Sequence, residues 1–327
     1  MEDISILKKQ LFEFSVLKKK LQNSSLWVEN NHDYTIVISP ARENGGINKD
    51  VDICFVGLTH GDEVIGLTII NEILSLISSG NLELKERIAF VLANVPAALE
   101  QKRYLEKDLN RAFCVEQPTL KEEILAKNLE PLFARSKYIF DIHQTIQPSR
   151  SPFFIFEYFN KRQIELLNLI DQNLPLIISL ETFSQDGLGI EEFAKPLGGI
   201  TLTVELGEKG FHDEQKNHGV NICLRALKAV RQMSAGTTDY NLTNLAGRAY
   251  TWGYVGRYND SLATLDRGWV NMSSVDAGQR LGMNGDEIIR APYAGKIMFP
   301  KYNQPTNREI DLFRIVVDVN LDKLKKL

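Results

Sequence analysis

Residues 51–66, VDICFVGLTHGDEVIG, constrain the fold of this chain more than any other stretch. Residues 53–58 are an unbroken apolar run with β-branched and aromatic side chains, short enough to be a buried strand. The run breaks at Thr59-His60-Gly61-Asp62-Glu63. Beyond the break, Val64, Ile65, Leu67, Ile69, Ile70, Ile73, Leu74 and Ile77 recur at three- and four-residue steps, which is the period of a helix. His60 and Glu63 therefore fall where a buried strand passes into a helix. In open α/β sheets that junction is where ligands bind.

The rest of the chain repeats the alternation. An amphipathic helix is expected over residues 3–22 and a strand over 34–39, followed by a polar loop at 41–50. Further strands are expected at 87–95, 137–142, 153–156, 176–180 and 199–206, and helices at 119–134, 162–174 and 213–233. Thr119 is the expected N-cap of the helix at 119–134, with Glu122 closing a capping box. Residues 97–113, AALEQKRYLEKDLNRAF, carry aperiodic charges and read as an irregular functional loop. Short apolar strands alternating with helices predict an α/β fold, a mostly parallel or mixed sheet flanked by helices. After residues 234–238 the texture changes to short runs such as GRAYTWGYVGRY and FRIVVDV, separated by Gly, Asn, Asp and Pro. The expected division is an α/β domain at 1–235 and a small C-terminal antiparallel β domain at 236–327.

Composition removes several function classes. With 43% hydrophobic and 24% charged residues and a net charge of −4, the chain offers no basic tract for a nucleic acid. No apolar run approaches membrane-spanning length, and the charged N-terminal segment is unlike a signal peptide. Cys54, Cys114 and Cys223 are odd in number and widely spaced, so a disulfide framework is not expected and a reducing cytoplasm fits best.

The chemistry-bearing residues each admit two readings. His60 and Glu63 could aim an imidazole nitrogen and a carboxylate at one cation, or simply form a turn capping the helix. Two His and one Glu form one of the ligand sets of catalytic zinc. A third ligand would then have to come from elsewhere. His143 follows a neighbouring strand and is the natural choice, with His212 and His218 as fallbacks and His32 in a polar loop. Glu205 ends an apolar run, where a carboxylate must be paired, protonated or catalytic; beside an activated water it would be a general base. Arg103, Asn110 and Arg111 suit an anionic substrate or a developing oxyanion, or are solvated loop charges.

Taken together, HGDE, RYLEKDLNRAF, DIH and TVELG, in this order from Val51 to about Gly210, resemble the succinylglutamate desuccinylase/aspartoacylase branch of the zinc carboxypeptidase-like hydrolases. The resemblance implies one zinc per chain on His60, Glu63 and His143, with Glu205 activating the hydrolytic water. It also implies Arg103 polarising the scissile carbonyl, Asn110 and Arg111 holding a substrate carboxylate, and Asp108 accepting a hydrogen bond from the His60 ring. The activity it implies is hydrolysis of the amide bond of a small N-acyl amino acid, and it leaves a homo-oligomer open. Two departures stand out. Asp62 occupies a turn position where aspartoacylases have Asn. Lys195, a point charge and not a bidentate fork, stands where an Arg is expected; it is taken as a substrate-binding candidate. Tyr293 is the candidate for a C-terminal tyrosine. The rival readings are a metallocarboxypeptidase of short peptides and a zinc-binding protein without catalysis.

Overall fold

The structure is a computed structural model that describes residues 2–29, 32–40, 50–179, 187–236, 242–258, 263–302 and 311–324. The polar loop at 41–49 and the end of the apolar run at Leu180 lie outside the described residues. The chain opens with α1 (Glu2–Gln22), β1 (Trp27–Glu29), β2 (Thr35–Ser39), β3 (Val51–Gly57), α2 (Ile65–Ser78), β4 (Ile88–Leu92) and α3 (Val95–Leu99). The middle comprises α4 (Lys121–Ala134), β5 (Ser136–Thr145), β6 (Phe153–Phe156), α5 (Lys161–Ile170), β7 (Leu176–Ile178), α6 (Ile190–Ala194), β8 (Ile200–Glu208) and α7 (Asp213–Ser234). The C-terminal part is built of β9 (Ala249–Arg257), β10 (Ala263–Leu265), β11 (Ser273–Val275), β12 (Arg280–Asn284), β13 (Glu287–Arg290), β14 (Gly295–Met298) and β15 (Asp311–Asp318), and closes on a short α8 (Leu321–Leu324).

Among the described residues, twelve strands form one mixed sheet in the order β1-β2-β4-β3-β5-β8-β6-β7-β9-β15-β14-β11. Its centre is parallel: β4, β3, β5 and β8 are neighbours running the same way. Side chains of β3 alternate between two cores, as a two-residue period demands. Ile53 and Phe55 join residues of α1, α2, α5 and α7 on one face. Cys54 and Val56 join α4 and α6 on the other. Burial on both faces is why this strand reads as a continuous apolar run.

The C-terminal strands are not a detached sheet. β9 pairs in parallel with β7, and β15, β14 and β11 follow antiparallel at that edge. Among the described residues, β10, β12 and β13 make a separate three-stranded antiparallel sheet. Its Leu265 and Leu281 share a core with Phe313 and Ile315 of the large sheet. No described helix is long and apolar enough to cross a membrane.

Three glycines, Gly57, Gly61 and Gly66, let backbone approach backbone at the C-terminal end of β3. A Cβ on Gly66 would lie 2.8 Å from the Gly57 Cα, so neither can be larger while α2 starts this close to the strand. A Cβ on Gly61 would meet the Ala98 nitrogen at 2.3 Å, so the His60 turn sits directly on α3. Between them Leu58 is held at φ 59°, an unusual left-handed conformation for a leucine, with its carbonyl accepting from Asn94 N at 2.8 Å.

Candidate functional site

Three of the central parallel strands deliver the site. His60 and Glu63 come from the turn after β3, His143 from within β5 and Glu205 from within β8. Both of the latter strands run further than their apolar residues indicate, so His143 and Glu205 are ladder residues and not loop residues. The β5–β8 register sets His143 directly opposite Glu205.

His60, Glu63 and His143 are at most 4% exposed, and one ligand atom from each lies within 4.8 Å of the others. The Glu63 carboxylate reaches His60 Nδ1 and His143 Nδ1, each at 2.9 Å, and accepts from Gln144 N at 3.0 Å. The two Nδ1 atoms are 3.2 Å apart. Each ring is gripped from behind by a carboxylate: His60 Nε2 by Asp108 Oδ1 at 3.2 Å, His143 Nε2 by Asp141 Oδ2 at 2.6 Å. Asp141 is itself held by the Thr59 hydroxyl at 2.6 Å. With the Nε2 protons given to Asp108 and Asp141, neutral rings would turn both Nδ1 lone pairs inward toward the Glu63 carboxylate.

That geometry tests whether a metal fits. Two imidazole lone pairs and a carboxylate converging in a buried space repel one another unless a cation sits among them. The donors N, N and O are a set that catalytic zinc uses. Without a metal the protons must do this work. Burial opposes charge on His143, but Asp141 and Glu63 outweigh it and hold its pKa well above the usual imidazole value. Burial likewise opposes charge on Glu63, and the two histidines hold its pKa well below the carboxylate range.

Asp108 is a hub. It accepts from His60, from Arg103 Nε and Nη2 at 3.2 Å, and from Asn110 N at 2.9 Å. Burial opposes its charge, yet these partners hold its pKa below the ordinary range. Arg103 also donates to Glu63 Oε1 at 3.1 Å, with its side chain 43% exposed to the cleft. The loop carrying these residues is pinned by Glu122, which is 1% exposed. Its carboxylate accepts from the backbone nitrogens of Leu105, Glu106 and Lys107 at 2.7–3.1 Å. The expected capping role of Glu122 belongs instead to Glu123, which accepts from Thr119 N and Leu120 N.

A cleft of about 140 Å³ opens over this group; His60, Arg103, Asp108, Asn110, Arg111, His143 and Glu205 all line it. One Glu205 oxygen is buried without a hydrogen-bond partner. Burial, with Glu63 adding to it and His143, His60 and Arg103 opposing, pushes the Glu205 pKa up to about 7. The sequence gives no hint of four further lining residues: Glu157, Glu191, Glu192 and Thr203. Burial lowers the Lys301 pKa, opposed by Asp311 and aided by repulsion from Arg314 and Arg103.

Other candidates lie elsewhere. Lys195 is not among the cleft-lining residues; it is exposed, with its ammonium 4.0 Å from the centre of the Tyr158 ring. Tyr293 is 53% exposed in the turn between β13 and β14 and does not line the cleft. His212 and His218 line a different pocket, with Arg150 and Glu214. His32 is exposed.

Comparison with known proteins bears on the fold and the family. The chain is 29% identical over 218 residues to a succinylglutamate desuccinylase of Pseudomonas fluorescens, covering 60% of each chain. It is 27% identical over 216 residues to one of Pseudoalteromonas atlantica, covering 58% of this chain and 59% of the relative. The chain thus spans about 60% of the length of the curated relatives it matches. In fold it is similar to the succinylglutamate desuccinylase of Vibrio parahaemolyticus, with TM-score 0.67 and 20% identity over 95% of this chain and 96% of that one. It is also similar to murine aminoacylase 3, with TM-score 0.63 and 15% identity over 83% and 96%. Residues 50–232, more than half of the chain, match the succinylglutamate desuccinylase/aspartoacylase catalytic domain, and the chain belongs to that family.

Proposed function

We propose that this protein is a zinc-dependent amidohydrolase that cleaves the amide bond of a small N-acyl amino acid. One observation carries the reading: the inward-facing donors of His60, Glu63 and His143 share a cleft with a Glu205 carboxylate that has a free, buried oxygen. His60, Glu63 and His143 would hold the metal. When bound, zinc supplies Lewis acidity toward a carbonyl and a water. A buried carboxylate beside the water position suits Glu205 to both halves of the proton traffic. As the water oxygen bonds to the acyl carbon, Glu205 takes its proton. As the carbon–nitrogen bond breaks, Glu205 returns that proton to the leaving nitrogen, giving a carboxylate and a free amine. Arg103 faces charge developing on the carbonyl oxygen, and Asn110 with Arg111 would hold a carboxylate of the substrate.

A short-peptide carboxypeptidase would share these donors, and the choice of substrate separates the two readings. Three unpaired cysteines support a reducing, cytoplasmic setting. The test is a trial of N-acetyl and N-succinyl amino acids beside dipeptides with the zinc-loaded protein. Turnover confined to dipeptides would make it a peptidase. Zinc binding with no turnover of any of them would make it a binding protein.

A further inference from the structure

Gln144 follows His143 in β5, and the alternation of a strand turns its side chain to the other face of the sheet. It is 2% exposed and does not line the cleft. It nevertheless touches all three strand ends that carry the site. Its backbone N–H donates to Glu63 Oε2 at 3.0 Å. Its side-chain Oε1 accepts from Ile65 N at 3.1 Å, two residues beyond Glu63. Its Nε2 lies 2.8 Å from the Glu208 carbonyl, 2.9 Å from that of Gly210 and 2.7 Å from Gln215 Oε1. An amide nitrogen has two protons, so one of them is shared among these three acceptors. The reverse orientation of the amide would set its oxygen against three oxygens, so the side chain has one way round.

Each contact has a consequence for the site. α2 starts at Ile65, and its N-cap Val64 offers no side-chain hydrogen bond. The first N–H groups of a helix have no partner within it. Gln144 Oε1 supplies one from 79 residues away, so the start of α2 is placed by the strand that carries His143. Glu63 is therefore held twice, at its carboxylate by Gln144 N and in the chain just beyond it by Gln144 Oε1. The nitrogen end grips residues 208–210, just past Glu205. That segment has other anchors: Lys209 N donates to Thr145 O at 2.9 Å, Gln215 Nε2 to Glu208 O at 2.9 Å, and Lys209 Nζ bonds the Asp62 carboxylate. Loss of the Gln144 amide would leave the segment in place and strip the buried start of α2 of its partner.

We infer that Gln144 is a positioning residue: its side-chain amide fixes the Glu63 turn against the His143 strand, so that the donor of Glu63 meets those of the two histidines. This role rests on the reading of the site as a zinc centre and adds to it a side chain outside the cleft.

The experiment compares Gln144→Met, which keeps the length and loses both hydrogen-bonding ends, with Gln215→Met. The second variant loosens the same 208–210 segment but leaves Ile65 and Glu63 to Gln144. Zinc affinity is measured by competition with a chelator, and amide hydrogen exchange is followed in metal-stripped protein. Gln144→Met should bind zinc roughly ten- to a hundredfold more weakly, the usual weight of a residue that orients a ligand. Gln215→Met should stay close to wild type. In Gln144→Met the Ile65 amide should lose its protection while the central amides of β5 keep theirs, which also shows that the variant is folded. A merely structural amide would lower resistance to urea and leave zinc affinity unchanged, and that result overturns the inference. Equal zinc loss in both variants, or full protection of Ile65 in Gln144→Met, overturns it as well. The two readings fail separately. If the wild type takes up no zinc, the metal reading falls, and the exchange of Ile65 still decides whether Gln144 holds the Glu63 turn.

Discussion

Replacing Glu205 by Gln keeps the size of the side chain and removes its ability to take a proton. Two effects follow, and they have different origins. The first is kinetic. A general base contributes about two to four orders of magnitude, so turnover by Glu205→Gln should fall at least a hundredfold while zinc content stays at the wild-type level. The second is a stability effect, read in protein stripped of metal. Burial lifts the folded-state pKa of Glu205 from its ordinary 4.5 to about 7. Such a shift corresponds to roughly 3 kcal/mol, at about 1.4 kcal/mol per pH unit. Below pH 4.5 the group is neutral in folded and unfolded chains alike and has no effect. Between about 4.5 and 7 the unfolded chain ionises and the folded one does not, so wild type loses stability as pH rises, and above 7 the loss is complete. Glu205→Gln has no such loss. In urea unfolding, the variant should match wild type at pH 4 and exceed it by roughly 3 kcal/mol at pH 8. A difference that does not change with pH would refute the buried, unpartnered carboxylate. Loss of zinc from the variant would make Glu205 a ligand and refute its role as base.

Three other outcomes follow from the site. His60→Ala, Glu63→Ala and His143→Ala should each abolish stoichiometric zinc binding, measured by metal analysis after dialysis; full zinc in any of them removes that residue from the set. Asp141→Asn should weaken zinc by about ten- to a hundredfold in a competing-chelator titration, because Asp141 fixes the ring of His143 at 2.6 Å; unchanged affinity would show that the ring is held by packing alone. Arg111→Ala should mainly raise KM and Arg103→Ala mainly lower kcat, each by about tenfold or more. If Arg111→Ala still prefers a free acid to its carboxamide as strongly as wild type, the carboxylate is read elsewhere.

What was legible in the chain was whatever a local pattern encodes. The apolar run of β3 and the periodic α2 mark the His60–Glu63 turn. The apolar strands leading to His143 and Glu205 place those residues at the same edge of a parallel sheet. Their facing register is a tertiary fact, yet neighbouring parallel strands make it nearly inevitable. Asp141 was hidden because it lies two residues before His143 within an apolar strand, and only the hydrogen bond to the ring reveals its purpose. Glu122 looked like a helix cap because Thr119 and Glu122 have capping-box spacing. Its reach to the backbone of residues 105–107 depends on a loop position that no local rule gives. The β-rich character of the C-terminal region was readable, but its continuation of the main sheet was not, since β7–β9 pairing joins segments some seventy residues apart. The presence of Glu157 and Glu192 in the cleft was hidden for the same reason, since they come from separate elements.

The central claim is amide hydrolysis at a metal held by His60, Glu63 and His143. The most direct test is amine release from a panel of N-acyl amino acids by metal-stripped protein titrated with zinc. The account predicts no release without zinc, a rise that saturates at about one zinc per chain, and loss of activity when a chelator is added. Release that is undiminished in stripped protein, or absent at full zinc loading across the whole panel, would contradict it.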